Sequence, residues 1–380
     1  MPPVVATIPD AMSSLSGLVQ YTGLSPTLLN LFDAADALSQ STTAAANRAG
    51  VQLAPSSPAT ASRAAATQTF DVLDIVAAHS DSLRLAQADG TSGIATGEAP
   101  PTWGVWGQAL GGHADQSEQE MVGYSANYGG LLFGVDQAIN DSWRAGGVFS
   151  YSNAEVDATG DAAGNTTRVN SYGLIGYASY VARAWYANLS AGAVQQRYET
   201  MRLVDFTGFS GVADGGFSGT QYVARAEAGR PLALGSITVT PLASLAYSYL
   251  QQNGYTESGG NGAAVTLVST HNKSVTSNIG MKFERAFDTS YGGIVPDLQL
   301  MWQHEYDNTR TLTQASYAAA PTGQTGFTTE GAAPVSDMAV LSLGATLLRA
   351  NNLSLTVRYE FQAGSGFVSQ AGSLRLRQLF

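Results

Sequence analysis

From Trp103 to the last residue, apolar and polar residues alternate with a period of two, over runs too long for ordinary strands. Asn352–Gln362 is the cleanest case. Leu353, Leu355, Val357, Tyr359 and Phe361 fall on one face, and Ser354, Thr356, Arg358, Glu360 and Gln362 on the other. A strand turns successive side chains to opposite faces, so each run carries one greasy and one wet surface. Twelve such segments lie near 102–113, 123–139, 143–158, 166–182, 184–201, 217–233, 236–252, 264–287, 292–310, 336–349, 352–363 and 367–380. Soluble strands usually stop at about five or six residues, whereas a strand crossing a bilayer needs about 9–11.

Composition decides which solvent the greasy face meets. Charged residues make up only 12% of the chain, with Gly at 42 and Tyr at 17 residues, against about 25% charged in a soluble domain. The longest apolar stretches, such as Ala339–Leu348, are short and broken by Ser, Gly and Thr, too short for a spanning helix of about 20 residues. The remaining way to satisfy a backbone in lipid is a closed barrel. An even strand count suits one of bacterial outer-membrane type. Asn140-Asp141, the Arg183 region, Leu234-Gly235, Asp288–Tyr291 and Ala350-Asn351 read as tight turns. Residues 159–165, 203–216, 253–263 and 311–335 read as long polar loops, placed outside the cell. Trp103, Trp143, Tyr151, Tyr172, Trp185, Tyr249, Trp302 and Phe380 stand near segment ends, where amphipathic rings meet membrane interfaces. The fold class expected is an all-β transmembrane barrel of about twelve antiparallel strands, with an N-terminal α-helical segment.

Residues 1–99 have another character. Ser25-Pro26 is an N-cap followed by Pro at the first helical position. It opens Thr27–Ser39, with Leu28, Leu31, Phe32 and Ala35 on one face. Ser57-Pro58 repeats the device and opens a helix to about Gln87, in which Phe70, Leu73, Val76, Ala77 and Leu83 approximate helical spacing. Asp71, Asp74, Asp81 and Arg84 supply its polar positions. The first twenty residues hold no Lys or Arg, so no secretory signal is present there. The chain is therefore expected to be the C-terminal part of a longer precursor.

The net charge of −11, with Lys273 and Lys282 the only lysines, argues against nucleic acid. Cysteine is absent, and His79, His113, His271 and His304 share no metal-ligand spacing. No nucleophile elbow, dinucleotide fingerprint or phosphate loop occurs. No catalytic residue, metal or cofactor is expected. One enzymatic rival stands: a surface hydrolase using His304, Glu305 and Asp307 near a long loop. The first two are adjacent on a strand and therefore point to opposite faces.

Several short motifs resemble a known family in order and spacing. Trp103-Gly104-Val105-Trp106-Gly107 after a proline-bearing linker resembles the first strand of autotransporter barrels. Tyr177-Ala178-Ser179-Tyr180 and Trp185-Tyr186-Ala187-Asn188 resemble the fourth and fifth, Ala226-Glu227-Ala228-Gly229 the sixth, and Trp302-Gln303-His304-Glu305-Tyr306 the ninth. The chain also ends on Phe380. Its last strand keeps Leu374, Leu376 and Phe380 as the family's assembly signal, while Gln378 interrupts the row.

The resemblance implies a type V secretion translocator in the Gram-negative outer membrane, among lipid and lipopolysaccharide. It implies a monomer inserted with the aid of periplasmic chaperones and the barrel-assembly machinery, supporting export of its own N-terminal passenger to the cell surface. It places the passenger's end and a helical linker at 1–57, a pore helix within 58–99 and the barrel at 100–380. Twelve strands enclose room for one helix. The lumen face is expected to carry Arg225, Glu227, Asp297, Gln299, Gln303, Glu305, Arg358 and Glu360, and Arg84 or the helix aspartates to pair with some of them. Some relatives cleave their passenger at a linker asparagine. None occurs here between Asn47 and Asn127, so no cleavage in the pore is expected. A porin-like channel is the rival reading.

Overall fold

The computed structural model describes residues 6–21, 25–55, 68–81, 102–117, 122–320, 324–331, 334–349 and 351–380. Twelve long strands form the body: β1 Trp103–Gln116, β2 Tyr124–Ala138, β3 Trp143–Ala158, β4 Thr166–Val181, β5 Tyr186–Phe206 and β6 Phe209–Gly229. They continue as β7 Ile237–Gln252, β8 Thr270–Glu284, β9 Gly292–Glu305, β10 Asp337–Leu348, β11 Leu353–Gly364 and β12 Phe367–Leu379. Every strand pairs antiparallel with its sequence neighbours. β12 returns to β1, from Gly104↔Leu379 to Gln116↔Phe367, and closes the ring.

Alternation sets which way each strand faces. On β2, Leu131, Phe133 and Val135 point out and are exposed, while Leu132 and Asp136 point in and are buried. Leu174, Leu245, Ile279, Leu300 and Val357 continue the exposed apolar surface around the cylinder. In water so much exposed hydrocarbon marks an interaction surface. On a closed barrel it is the lipid face.

Two boundaries depart from the periodicity reading. Residues 203–216 are not a loop. β5 and β6 run on to a turn at Thr207-Gly208, with Gly208 at φ +88. Glycines and aspartates disguise the segment, yet Arg202, Val204 and Ala213 hold the inward, buried parity. At about 3.3 Å per residue, these 21-residue strands stand well clear of a bilayer. The 264–287 run is also broken: Val265–Leu267 joins a separate sheet and β8 starts at Thr270. The supposed long loops 253–263 and 311–335 likewise supply short strands to that sheet, in the order Gly326–Glu330, Leu312–Tyr317, Val265–Leu267, Tyr255–Thr256.

Among the described residues, α1 Pro9–Val19, α2 Pro26–Ala37 and α3 Thr43–Leu53 come first. Ser25 is the N-cap residue of α2, and the Thr42 side chain caps α3. Leu15, Leu18, Leu28, Leu31 and Leu53 share one buried cluster with Val204, Phe209, Val265, Tyr317 and Phe327. The helices and the outer loops thus make one cap. A fourth helix, α4, spans 68–81.

Asp10 opens α1 inside the cap, accepting the Glu330 N–H at 2.8 Å. Burial pushes its carboxyl up to about 6, opposed by that Glu330 hydrogen bond and by Arg310 and reinforced by the Glu330 charge. A raised carboxyl favours the docked state while protonated, and that advantage fades as pH climbs through the folded value. Protection of the cap from protease should therefore fall between about pH 4 and pH 6 and level off above. Asp10→Asn keeps the acceptor without the charge. It should flatten this profile and raise protection at pH 7.

Candidate functional site: the lumen and its helix

α4 lies within the ring. Its early end meets the outer halves of the strands: Gln68 donates to the Asn153 carbonyl at 3.3 Å and Thr69 to Gln221 at 2.9 Å. Its late end meets residues beside the tight turns, His79 touching Asp136 and Asp81 touching Lys282. At about 1.5 Å per residue its described residues alone cover roughly 21 Å of the lumen.

One face of α4 is apolar. Val72, Leu73 and Val76 are buried against Trp106, Leu132, Val148, Ile175 and Val223. Missing side chains make room for the rings beside it. A Cβ on Gly134 would lie 2.2 Å from the Trp106 indole, and one on Gly146 2.5 Å from the Tyr177 ring.

The other contacts are polar and come in tiers. Near the mouth, Tyr128 donates its hydroxyl to Asp71 at 2.7 Å. Midway, Arg225 bridges Asp74 and Glu227, the latter at 2.9 Å. Deeper, Asp81 accepts from Asn188 at 3.2 Å and faces Lys282 at 3.4 Å, while Lys282 also meets Glu284 at 2.7 Å. Asn188 reaches Glu227 at 3.3 Å, which links two tiers. At the base, His79 stacks on Trp106 with ring centroids 4.4 Å apart and bonds Asp136 at 2.9 Å. Asp136 is paired with Arg144 as well and accepts from Tyr177 at 3.3 Å.

Of the lumen residues named from sequence, Arg225 and Glu227 join the helix aspartates. Asp297 and Arg358 pair with each other at 2.9 Å, and Arg358 also donates to Ser342. Glu360 accepts from Gln362 at 2.7 Å and lines a cleft beside Asp71, Asp74 and Gln299. Gln303 and Glu305 sit higher, by an outer cleft that Phe70 also lines. Glu305 is taken up by Ser274, by the Val275 N–H and by the Asp307 N–H, apart from the helix charges. Arg84 lies outside the described residues. Leu374, Leu376 and Phe380 point outward and are exposed. Gln378, on the same face, donates to the Asn351 and Leu379 carbonyls at 2.9 Å, so its amide is satisfied at the rim.

The base of the site escaped the sequence reading. Asp136, Arg144 and Lys282 do occupy inward parity on their strands, a signal available from alternation alone. The stack of His79 on Trp106 had none. The hydrolase cluster is not assembled. His304 faces outward and bonds Asp337 at 2.9 Å, across the wall from Glu305. Asp307 caps the Thr309 N–H. Among the described residues no group of His, Asp and Glu could hold a metal.

Arg225 and Lys282 keep Glu227 and Glu284 as partners when a helix aspartate is lost, so the helix pairs hold α4 in place without being needed to neutralise the wall. Asp74→Asn with Asp81→Asn strips α4 of its contacts to Arg225 and Lys282. The double variant should release the helix at a lower temperature and raise single-channel conductance in planar bilayers, with the barrel itself still folded.

Residues 105–360 match the autotransporter beta-domain family. The chain is 27% identical over 296 residues to an extracellular serine protease of Serratia marcescens, covering 74% of this chain and 26% of that protein. It is 26% identical over 286 residues to the esterase EstA of Pseudomonas aeruginosa, covering 72% of this chain and 42% of that one. It thus spans less than half the length of these relatives. The translocator domain of the autotransporter NalP from Neisseria meningitidis shares the fold, with a TM-score of 0.60 at 16% identity over 81% of this chain and 98% of that one. The beta domain of the Bordetella autotransporter BrkA matches with a TM-score of 0.52 at 19% identity, over 73% of this chain and all of that one. A closed twelve-stranded ring, a lipid-ready exterior and a match across most of the barrel lead to one conclusion: the chain belongs to the autotransporter beta-domain family, whose barrels anchor and translocate a passenger in the outer membrane.

Proposed function

We propose that this chain is the plugged, post-export form of its translocator, with the passenger attached on the N-terminal side and held at the cell surface. The supporting observation is the direction of α4. Its early end lies at the outer half of the lumen, and the helices before it pack on the long-loop side. Residues 6–55 are then outside, while the late end of α4 and the start of β1 at Trp103 lie toward the opposite rim. The barrel works without chemistry of its own: export needs a conduit, and the plug afterwards closes it. With no asparagine in α4, the passenger stays attached unless another protease removes it. The barrel is a monomer. Leu374 and Leu376 on β12 and Phe380 just past its end, all exposed on one face, are offered to the assembly machinery and its chaperones.

Two experiments test this reading. Deleting residues 1–99 should raise conductance sharply, since the lumen loses its helix; a porin would conduct alike with and without them. An epitope added at the N-terminus should be open to antibody on intact cells. Separately, Phe380→Ala should lower the yield of heat-modifiable barrel. An unchanged yield removes that residue from the assembly signal.

A further inference from the structure

We propose that the outer end of the barrel is a docking platform for residues 6–55 of the same chain, and that Arg202 is the contact that recognises the arriving segment. This rests on the orientation proposed above, which puts both parts outside the membrane.

Arg202 lies on the stretch of β5 that stands above the ring. Its partner strand β4 ends at Thr166, opposite Met201, so beyond that point β5 has an open edge. The Arg202 guanidinium is fully buried, and its five N–H groups are all engaged. Two bond the Glu257 carboxylate, at 3.1 and 2.5 Å, and one the Ala263 carbonyl at 2.7 Å. The other two meet the carbonyls of Gln52 and Leu53, at 2.8 and 3.3 Å. These carbonyls belong to the last turn of α3, where a helix leaves its acceptors unpaired. The platform therefore supplies three of the partners, and only the docked segment supplies the remaining two. A buried donor left without a partner is costly, so the site is complete only with that helix end in place.

The same segment covers part of the open edge: Gln52 Oε1 accepts the Asp205 N–H at 2.9 Å, while Asn165, in the β3–β4 connection, accepts the Leu203 N–H at 2.8 Å. Edge strands commonly need such cover against unwanted pairing. Beneath it the apolar core is shared, with Leu15, Leu28 and Leu53 from the segment and Val204, Phe209 and Tyr317 from the platform. About 50 residues rarely hold a core alone, so the segment folds on the platform. Within the segment, Gly50 lets α3 touch α1: a Cβ there would lie 2.6 Å from Ala11. Once docked, residues 6–55 are a folded body at the mouth, and α4 behind them is kept from sliding back.

The test uses the full chain in outer membranes, treated from outside with proteinase K. Arg202→Met with Glu257→Leu removes both charges from the platform, and Gly50→Leu disrupts the segment. Each should speed cleavage within residues 6–55 about tenfold or more, the factor expected for one lost buried contact, with heat-modifiable mobility of the barrel unchanged. Cleavage within about twofold of the parent in Gly50→Leu overturns the proposal, even if the double variant fails to assemble. An N-terminal epitope read in parallel separates the two readings. If it is hidden in the parent, the orientation is wrong. If it is displayed and cleavage is unmoved, only the docking platform falls.

Discussion

Backbone amides and carbonyls in hydrocarbon have no water to bond, and the pairing of β12 with β1 answers that constraint for the whole molecule. Without that seam two strands would present open edges to lipid. With it every barrel strand has a neighbour on each side, and one face of each strand is committed outward. Leu131, Leu174, Leu300 and Val357 can then be exposed without penalty. The opposite face, with Arg225, Glu227, Asp297 and Lys282, is left to find partners indoors.

The interior supplies those partners by ion pairing rather than by bulk water. Buried charges are worth little net stability, since desolvation offsets much of their attraction, but losing one partner is expensive. A helix carrying Asp74 and Asp81 against Arg225 and Lys282 is therefore held in one position along the lumen more than it is held tightly. The apolar stripe of Val72, Leu73 and Val76 adds the non-directional part. Position and adhesion come from different faces of the same helix.

Outside the membrane the logic is that of a small soluble domain. The cap assembles from two stretches of chain that flank the lumen in sequence, the helices before it and the long loops after it. Each lacks a sufficient core alone. Arg202, held by Glu257, joins them at the protruding hairpin by donating to the Gln52 and Leu53 carbonyls, and Asp10, whose carboxyl burial raises, ties α1 to the side sheet.

Alternation alone yielded strand number, the identity of inward and outward residues, and the rim that carries the tight turns, because a side chain's face depends only on parity along its own strand. The lumen positions of Arg225, Asp297 and Arg358 were readable for that reason. Family resemblance added the passage of a helix through the pore. What parity cannot give is height, meaning which inward residue on one strand meets which residue of the helix. Asp74 with Arg225, and His79 between Trp106 and Asp136, depend on register and shear accumulated around the ring, set by tertiary closure. The hairpin above the membrane and the cap were hidden for a related reason. Their glycines and aspartates look like loop in one dimension, and only packing against α1–α3 makes residues 203–216 continue as strand.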